Sequence, residues 1–455
     1  MLIIGSVISI LIVVVVAKLL IKKYNPQSVL IISGLLMMAI ALILGMDMST
    51  MKEPTGWHFF DLFNQIKVSL SNKGAKVGLM IMTIGGYVAY MKKIGASEAL
   101  VYASMKPLSI FRKYPYLAAS IVIPIGQVLF MCIPSATGLG LLLVASIFPV
   151  LVNLGISKTS AVSVITACTV FDMGPASANT ARASELIGKT NVQYFMEDQL
   201  PLTIPMTMVL MISYYFVNRY FDKKENHKPT QLEIDAFKKI NTPKIYSILP
   251  MLPLIMLIIF SPFFNLFPTP IHLDTTTAMI ISLFVSMVFE IIRKRNLKEV
   301  FDSIKTFWEG MGKVFASVIT LIISAEIFSL GLINLGFVDG LIAGSQSLGF
   351  SPVGIGIVMS VLIFMASILM GSGNASFFSF GPLVPEIAAK MGIEGARIIL
   401  PMQLSSSLGR AISPIAGVII ATSEIAGIKP YALAKRNLIP LSVTAVMMIV
   451  VHYIF

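Results

Sequence analysis

Long apolar runs alternate with short polar connections along the whole chain. Runs at roughly 2–21, 28–45, 76–92, 201–218, 246–264, 276–292, 313–331 and 438–455 carry few charges, and about 17–25 such residues suffice to cross a bilayer. Two longer runs, 159–186 and 396–422, are each broken by a polar turn and count as broken spans, which makes ten. Two more apolar stretches, 115–154 and 353–389, are interrupted near the middle by Pro134-Ser-Ala-Thr-Gly138 and by Gly371-Ser-Gly-Asn-Ala375. The second interruption directly follows IGIVMSVLIFMASIL (Ile355–Leu369). Each stretch reads as two spans or as one re-entrant hairpin. The polar breaks favour the hairpin, because irregular backbone at membrane depth needs protein or water to cover it. The expected fold is an all-α polytopic membrane protein with about ten transmembrane helices and two re-entrant hairpins.

Composition agrees with this pattern. Of 455 residues 56% are hydrophobic and 12% charged, with a mean hydropathy of +0.87, too few charges to cover a soluble domain. The first run, MLIIGSVISILIVVVVAKLLIKK, has no basic residue ahead of it and no small-residue cleavage site, so it reads as a first span and not as a removable signal. The two cysteines, Cys132 and Cys168, lie in apolar runs and suggest neither a disulfide framework nor a metal cluster.

The net charge of +12 is placed unevenly. With both interrupted stretches returning to their own side, one side carries 24 basic against 10 acidic residues, including Lys92, Lys93, Lys106, Arg112, Lys113, Lys435 and Arg436. The other has 8 basic, such as Lys52, Lys189 and Lys390, against 10 acidic. The basic side is expected to be cytoplasmic and both termini to face outward. Sidedness accounts for the charge, so no nucleic-acid partner is expected.

The two halves of the chain match. Ser135-Ala-Thr137 lies 237 residues before Ser372-Gly-Asn374, and Leu154-Gly155-Ile156 lies 237 before Met391-Gly392-Ile393. Further on the offset is 239, pairing Pro175 with Pro414, Ser184-Glu185 with Ser423-Glu424, and Gly188 with Gly427. The amphipathic segments Trp57–Leu70 and Leu297–Lys313 also correspond. A run at nearly constant offset indicates an internal repeat, and five spans per half, an odd number, invert the second copy. The expected organisation is a first repeat over 1–221, a charged cytoplasmic linker over 222–244 and a second repeat over 245–455. Spans 1–92 and 246–331 form a scaffold, and 115–218 and 353–455 a transport core. Paired broken helices in inverted repeats characterise secondary transporters.

Broken membrane helices expose unpaired N–H groups at one half-helix end and carbonyls at the other. The former suit a carboxylate and the latter a cation. The candidate substrate contacts are Ser135, Ala136, Thr137 and Gly138 at the first tip, Ser372, Gly373 and Asn374 at the second, and Asn179, Ser407 and Arg410 at the broken spans. Other readings stand beside this one: small residues permitting close packing at the tips, hydroxyls bonding back to helix carbonyls at Ser405–Ser407, and plain kinks at Pro175 and Pro414. An arginine inside a span usually marks function and can grip a carboxylate through two parallel bonds. Arg410 reads equally as a substrate contact or as the partner of Asp172. Asp172 and Glu326 are candidates for a coupling ion or proton, and a hydrated, mouth-facing position is the other reading of Glu326. His272 and His452 lie near span ends and read as solvated.

The stretches PSATGLGLLLVASIFPVLVNLGIS, MGSGNASFFSF and SSSLGRAISPIAGVIIA, together with IGGYVAYMKKIGAS and NRYFDKKE, resemble the anaerobic C4-dicarboxylate carriers of the DcuC family, within the ion transporter superfamily. The resemblance spans nearly the whole chain. It implies exchange or efflux of succinate, fumarate or malate across the bacterial inner membrane. It also implies a homodimer working as an elevator, with Ser-Asn-Thr-type tips holding a carboxylate and, in some relatives, sodium. This chain departs from that pattern at Ala136, where the middle Asn is missing, and in carrying Asp172.

The expected function is a secondary carrier of small dicarboxylates, without a cofactor beyond a coupling Na+ or H+. A carrier of another carboxylate or of an amino acid on the same frame is the alternative. No His-Glu-x-x-His, Gly-x-Ser-x-Gly, Cys/His cluster or ATP-binding P-loop occurs, so an enzyme or a primary pump is not expected. Mirrored half-sites suit alternating access better than a channel.

Overall fold

The computed structural model describes residues 2–46, 54–105, 114–227, 242–261, 271, 273–347 and 351–454. Lys52, Lys106, Arg112, Lys113, His272 and most of the expected linker lie outside them. Ten helices among the described residues are long and apolar enough to cross a membrane: Ile4–Ile21, Pro26–Ile43, His58–Lys93, Pro115–Cys132, Asn191–Lys224, Thr275–Lys294, Leu297–Asn334, Pro352–Met370, Ala396–Ala426 and Pro430–Ile454. The number equals the expectation, but the membership differs. Pro115–Cys132 and Pro352–Met370 are continuous helices of spanning length, whereas 159–186 divides into Lys158–Ala167 and Ala178–Ile187. The apolar stretch after the linker is a shorter helix, Lys244–Ile259.

The amphipathic segments are not separate surface helices. Each runs into the following apolar span through a five-residue π segment, Gly74–Gly78 in one half and Phe315–Ile319 in the other. A π turn shifts the helical phase, so the buried stripe of the amphipathic part and that of the apolar part can point in different directions along one rod. The element order repeats as well. The tip helix Ala136–Ser146 is followed by Phe148–Asn153, Lys158–Ala167 and Ala178–Ile187; its counterpart Gly373–Phe380 is followed by Val384–Met391, Ala396–Ile412 and Gly417–Ala426.

The chain forms two compact units, each drawing on both halves of the sequence. The first comprises Met1–Leu79, Arg182–Lys189 and Val314–Gly409. In it, the helix Pro26–Ile43 packs on Thr320–Asn334 backbone to backbone. A Cβ at Gly34 would lie 2.5 Å from the Ile327 carbonyl oxygen, and one at Gly331 2.7 Å from the Gly34 carbonyl oxygen. Without a hydrophobic drive between helices in lipid, such small-residue contacts supply the close packing.

The second unit comprises Met80–Ala181, Thr190–Lys313 and Arg410–Phe455. Tyr87, Tyr90, Tyr246, Leu249, Leu283 and Phe307 build one of its cores, and the Tyr87 hydroxyl donates to the Leu249 carbonyl at 2.5 Å. The helix Leu200–Lys224 continues past the last apolar residues, so Asp222 is buried rather than solvated. Asp222 accepts from the Ser157 hydroxyl at 2.7 Å, the Ser160 hydroxyl at 2.6 Å and Arg436 at 2.9 Å. Arg436, expected in a cytoplasmic loop, is 3% exposed. It also donates to both oxygens of Glu225 at 2.9 Å and lies over the Phe221 ring. Next to it, Asn437 donates to Thr166 Oγ1 and to the Ala411 carbonyl at 3.0 and 2.9 Å.

Removing one partner of a buried ion pair leaves an uncompensated charge. Arg436→Met is therefore expected to destabilise the protein by about 3–5 kcal/mol, and Asp222→Leu added to it to recover part of the loss. Fluorescence-monitored thermal unfolding in detergent checks both; no recovery in the double variant would refute the pairing.

Candidate functional site

Two helix N-termini sit at the polar interruptions, and both are capped alike. Ser135 holds φ −136° and ψ 104° and accepts from the Gly138 N–H at 3.2 Å. Ser372 holds φ −138° and ψ 110° and accepts from the Ala375 N–H at 3.2 Å. A serine cap satisfies one of the four free N–H groups of a helix start, and the remainder, with the helix dipole, favour an anion. Ala136, Thr137 and Gly138 form the first turn of one tip helix, and Gly373 and Asn374 that of the other.

In the second unit the first tip shares a neighbourhood with the broken spans. A Cβ on Gly417, which opens the helix Gly417–Ala426, would lie 3.5 Å from the Thr137 hydroxyl oxygen. Between Lys158–Ala167 and Ala178–Ile187 the chain turns at Gly174, with φ +99°. This turn is held by side chains. Gly174 N–H donates to Gln199 at 3.0 Å, and Asn191 donates to the Pro175 carbonyl at 2.9 Å. Ser177 accepts from the Asn179 N–H at 3.1 Å.

Asp172 and Arg410 both belong to this region. The Asp172 carboxylate accepts from the Ser177 hydroxyl at 2.6 Å and the Asn179 amide at 3.0 Å, and interacts electrostatically with Arg410. Arg410 donates to the Thr169 carbonyl at 2.5 Å. Arg410 Nε, Asn179 Oδ1 and the Ser413 hydroxyl are buried with no hydrogen-bond partner among the described residues. Buried polar atoms are nearly always paired, so three open groups around one break are a place where a polar ligand or water is accommodated.

In the first unit the second tip rests on the helix Ala396–Ile412. A Cβ on Gly373 would lie 3.0 Å from the Ser406 carbonyl oxygen, and that oxygen accepts from Ser367 at 2.5 Å. Of the three serines in this stretch, Ser406 bonds back to the Gln403 carbonyl at 2.7 Å. The Ser405 and Ser407 hydroxyls are buried without a partner among the described residues, so back-bonding to the helix accounts there for one hydroxyl of three.

Glu326 stands apart from both tips in sequence and is fully engaged. One oxygen lies 3.6 Å from Lys73 Nζ, and the other accepts from Arg182. Glu185 repeats the arrangement, at 2.7 Å from Lys73 and 2.5 Å from Arg182. Sequence reasoning missed Arg182, and with it the role of Glu185. The signal for them was present, an arginine and a glutamate three residues apart inside an expected span, where i,i+3 places them on one helix face.

Similarities to known proteins follow the same outline. The profile of the family DcuC, described as C4-dicarboxylate anaerobic carrier, matches residues 4–455. The anaerobic C4-dicarboxylate transporter DcuC of Escherichia coli (strain K12) is 32% identical over 97% of this chain and 95% of its own length. A probable anaerobic C4-dicarboxylate transporter DcuC of Vibrio cholerae is 33% identical over 96% and 94%. In architecture the chain is similar to the YdaH transporter of Alcanivorax borkumensis, with a TM-score of 0.58 over 94% of this chain and 98% of the other, at 15% identity. With the profile matched from Ile4 to the last residue, the chain belongs to the DcuC family of C4-dicarboxylate anaerobic carriers.

Proposed function

We propose that this chain is a secondary carrier that exchanges C4-dicarboxylates such as succinate, fumarate and malate across the bacterial inner membrane. The observation that carries the reading is the pair of tips, Ser135 and Ser372, with matching cap geometry 237 residues apart. Each tip offers N–H groups and a dipole to a carboxylate. Arg410, with an open Nε beside the break at Asp172–Asn179, adds a full positive charge and a fork suited to carboxylate. Asn179 and Ser407 add open acceptors or donors.

In this proposal the halves are inverted repeats, the interrupted stretches are re-entrant hairpins, and both termini face outward. The core moves against the scaffold as an elevator within a homodimer. Asp172 is the group through which a cation, Na+ or H+, offsets the dianion. Glu326, paired with Arg182 and Lys73, is the weaker candidate for that role. Asp172 is also the reason to keep an amino acid as the second substrate class, since a buried carboxylate can hold an ammonium group.

Counterflow in proteoliposomes tests the substrate. Internal unlabelled succinate is expected to accelerate entry of labelled fumarate, and internal aspartate to do so only if the amino-acid reading holds. Acceleration by neither, from protein that remains monodisperse, would sink the proposal. Arg410→Lys keeps the charge and loses the fork; transport is expected to fall by about 10-fold or more, as for loss of a charged hydrogen bond worth about 1.5–3 kcal/mol. Ser135→Ala and Ser372→Ala each remove a cap worth about 1 kcal/mol, and are expected to raise the half-saturating succinate concentration several-fold. Unchanged saturation in both would separate the tips from substrate.

A further inference from the structure

In the first unit a cavity of about 340 Å³ is lined by Asn72, Lys73, Lys76, Glu185 and Glu326, among others. It shares no residue with the capped tips or with the turn at Asp172–Asn179. Its volume is at the lower end of small-molecule pockets, which run from about 300 to 1,000 Å³.

The charges in it form a closed ring. Lys73 lies 2.7 Å from one oxygen of Glu185 and 3.6 Å from one oxygen of Glu326. Arg182, fully buried, takes the other oxygen of each. Two cations and two carboxylates therefore bridge one another, and every carboxylate oxygen has a cation. Desolvated charges need this degree of pairing to persist.

Lys76 is left over. It stands three residues after Lys73, inside the π segment Gly74–Gly78, and has no ion-pair partner among the described residues. π segments often occur at functional positions. Arg182 Nε is also buried without a partner among the described residues, so the ring's own arginine retains a donor that its carboxylates do not use. The cavity thus carries one positive charge beyond a balanced ring, together with the polar side chains of Gln65 and Ser69. A single carboxylate neutralises one excess charge. Phosphate brings all of its charge within one group a few ångströms from the two glutamates, whereas a dicarboxylate can hold its second carboxylate away from them.

We infer that this cavity is a second anion site, distinct from the tips, in which Lys76 holds one carboxylate group of a small carboxylate. Lys73 is not the receptor, because both glutamates already occupy it; it fixes the wall on which Lys76 stands. The site stands on its own geometry and does not require that the chain transport what it binds.

A thiol at the cavity wall tests it. Cys132 and Cys168 are buried, so Asn72→Cys in the full chain, reconstituted in phosphatidylcholine nanodiscs, supplies a single accessible reporter for maleimide. Succinate is expected to slow labelling at least fivefold relative to chloride at equal ionic strength. The slowing is expected to persist in Asn72→Cys/Arg410→Lys and to vanish in Asn72→Cys/Lys76→Gln. Four results would overturn the inference: no slowing, slowing that survives Lys76→Gln, equal slowing by inorganic phosphate, or slowing lost with Arg410→Lys. The last would mark a response to occupancy elsewhere. Protection without counterflow would sink the transport reading alone, and counterflow without protection would sink this one alone.

Discussion

Backbone polar groups that leave a helix inside a bilayer must find another partner, and the rest of this structure is arranged around that requirement. The turn between Lys158–Ala167 and Ala178–Ile187 meets it with side chains from neighbouring helices. Gln199 reaches the Gly174 N–H, Asn191 the Pro175 carbonyl and Arg410 the Thr169 carbonyl. At the tips the chain meets the requirement only in part. Ser135 and Ser372 each take one N–H of their own helix, and the remaining donors are what makes the tips suited to a carboxylate. Stability and function draw on the same groups, and the difference between a structural break and a binding break is how many are already used.

The same distinction separates the arginines. Arg182 is bound to two carboxylates, as is Arg436, and both are buried in closed networks. Removing a charge gripped by two carboxylates would expose the desolvation penalty of its partners. Arg410 instead has no carboxylate at ion-pair distance among the described residues, where it donates to one main-chain carbonyl and its Nε finds no partner. An arginine that no carboxylate grips retains capacity for an anion.

Much of this was legible along the chain because it is local. The tip at Ser372 follows from the small polar run Gly371–Ala375 inside an apolar stretch, and the break at Asp172–Ser177 from Gly174-Pro175 inside another. Pairings over long separations were not legible. Glu326 and Arg182 stand 144 residues apart and Arg436 and Asp222 214 apart. Arg436 follows Lys435 in sequence, and nothing in that pair distinguishes a buried guanidinium from a solvated ammonium. The joining of His58–Lys73 to the next span also escaped the pattern, since a π turn changes the phase of the apolar stripe and makes one helix resemble two.

The two halves of the chain have the same order of elements after each tip, and few residues in them carry chemistry. Both halves share the capped tip, the π segment and the broken span, so these belong to the frame. Apart from Glu185 and Glu424, the charges discussed above do not recur at matched positions. At offset 239 Arg410 corresponds in sequence to Phe171 and Arg182 to Ala421, and at the offset of 241 that aligns the two π segments Glu326 corresponds to Gly85. Lys73 and Lys76 match Val314 and Ser317. Charge inside a membrane segment is expensive and is retained where it has a use, so similar elements carrying mostly different charges point to division of labour. One copy carries the open arginine beside Asp172. The closed ring with its surplus lysine is assembled from parts of both copies, none of them duplicated except Glu185, whose counterpart Glu424 is exposed. That asymmetry is the physical reason to look for two anion sites of different kinds in a chain whose halves share the same elements.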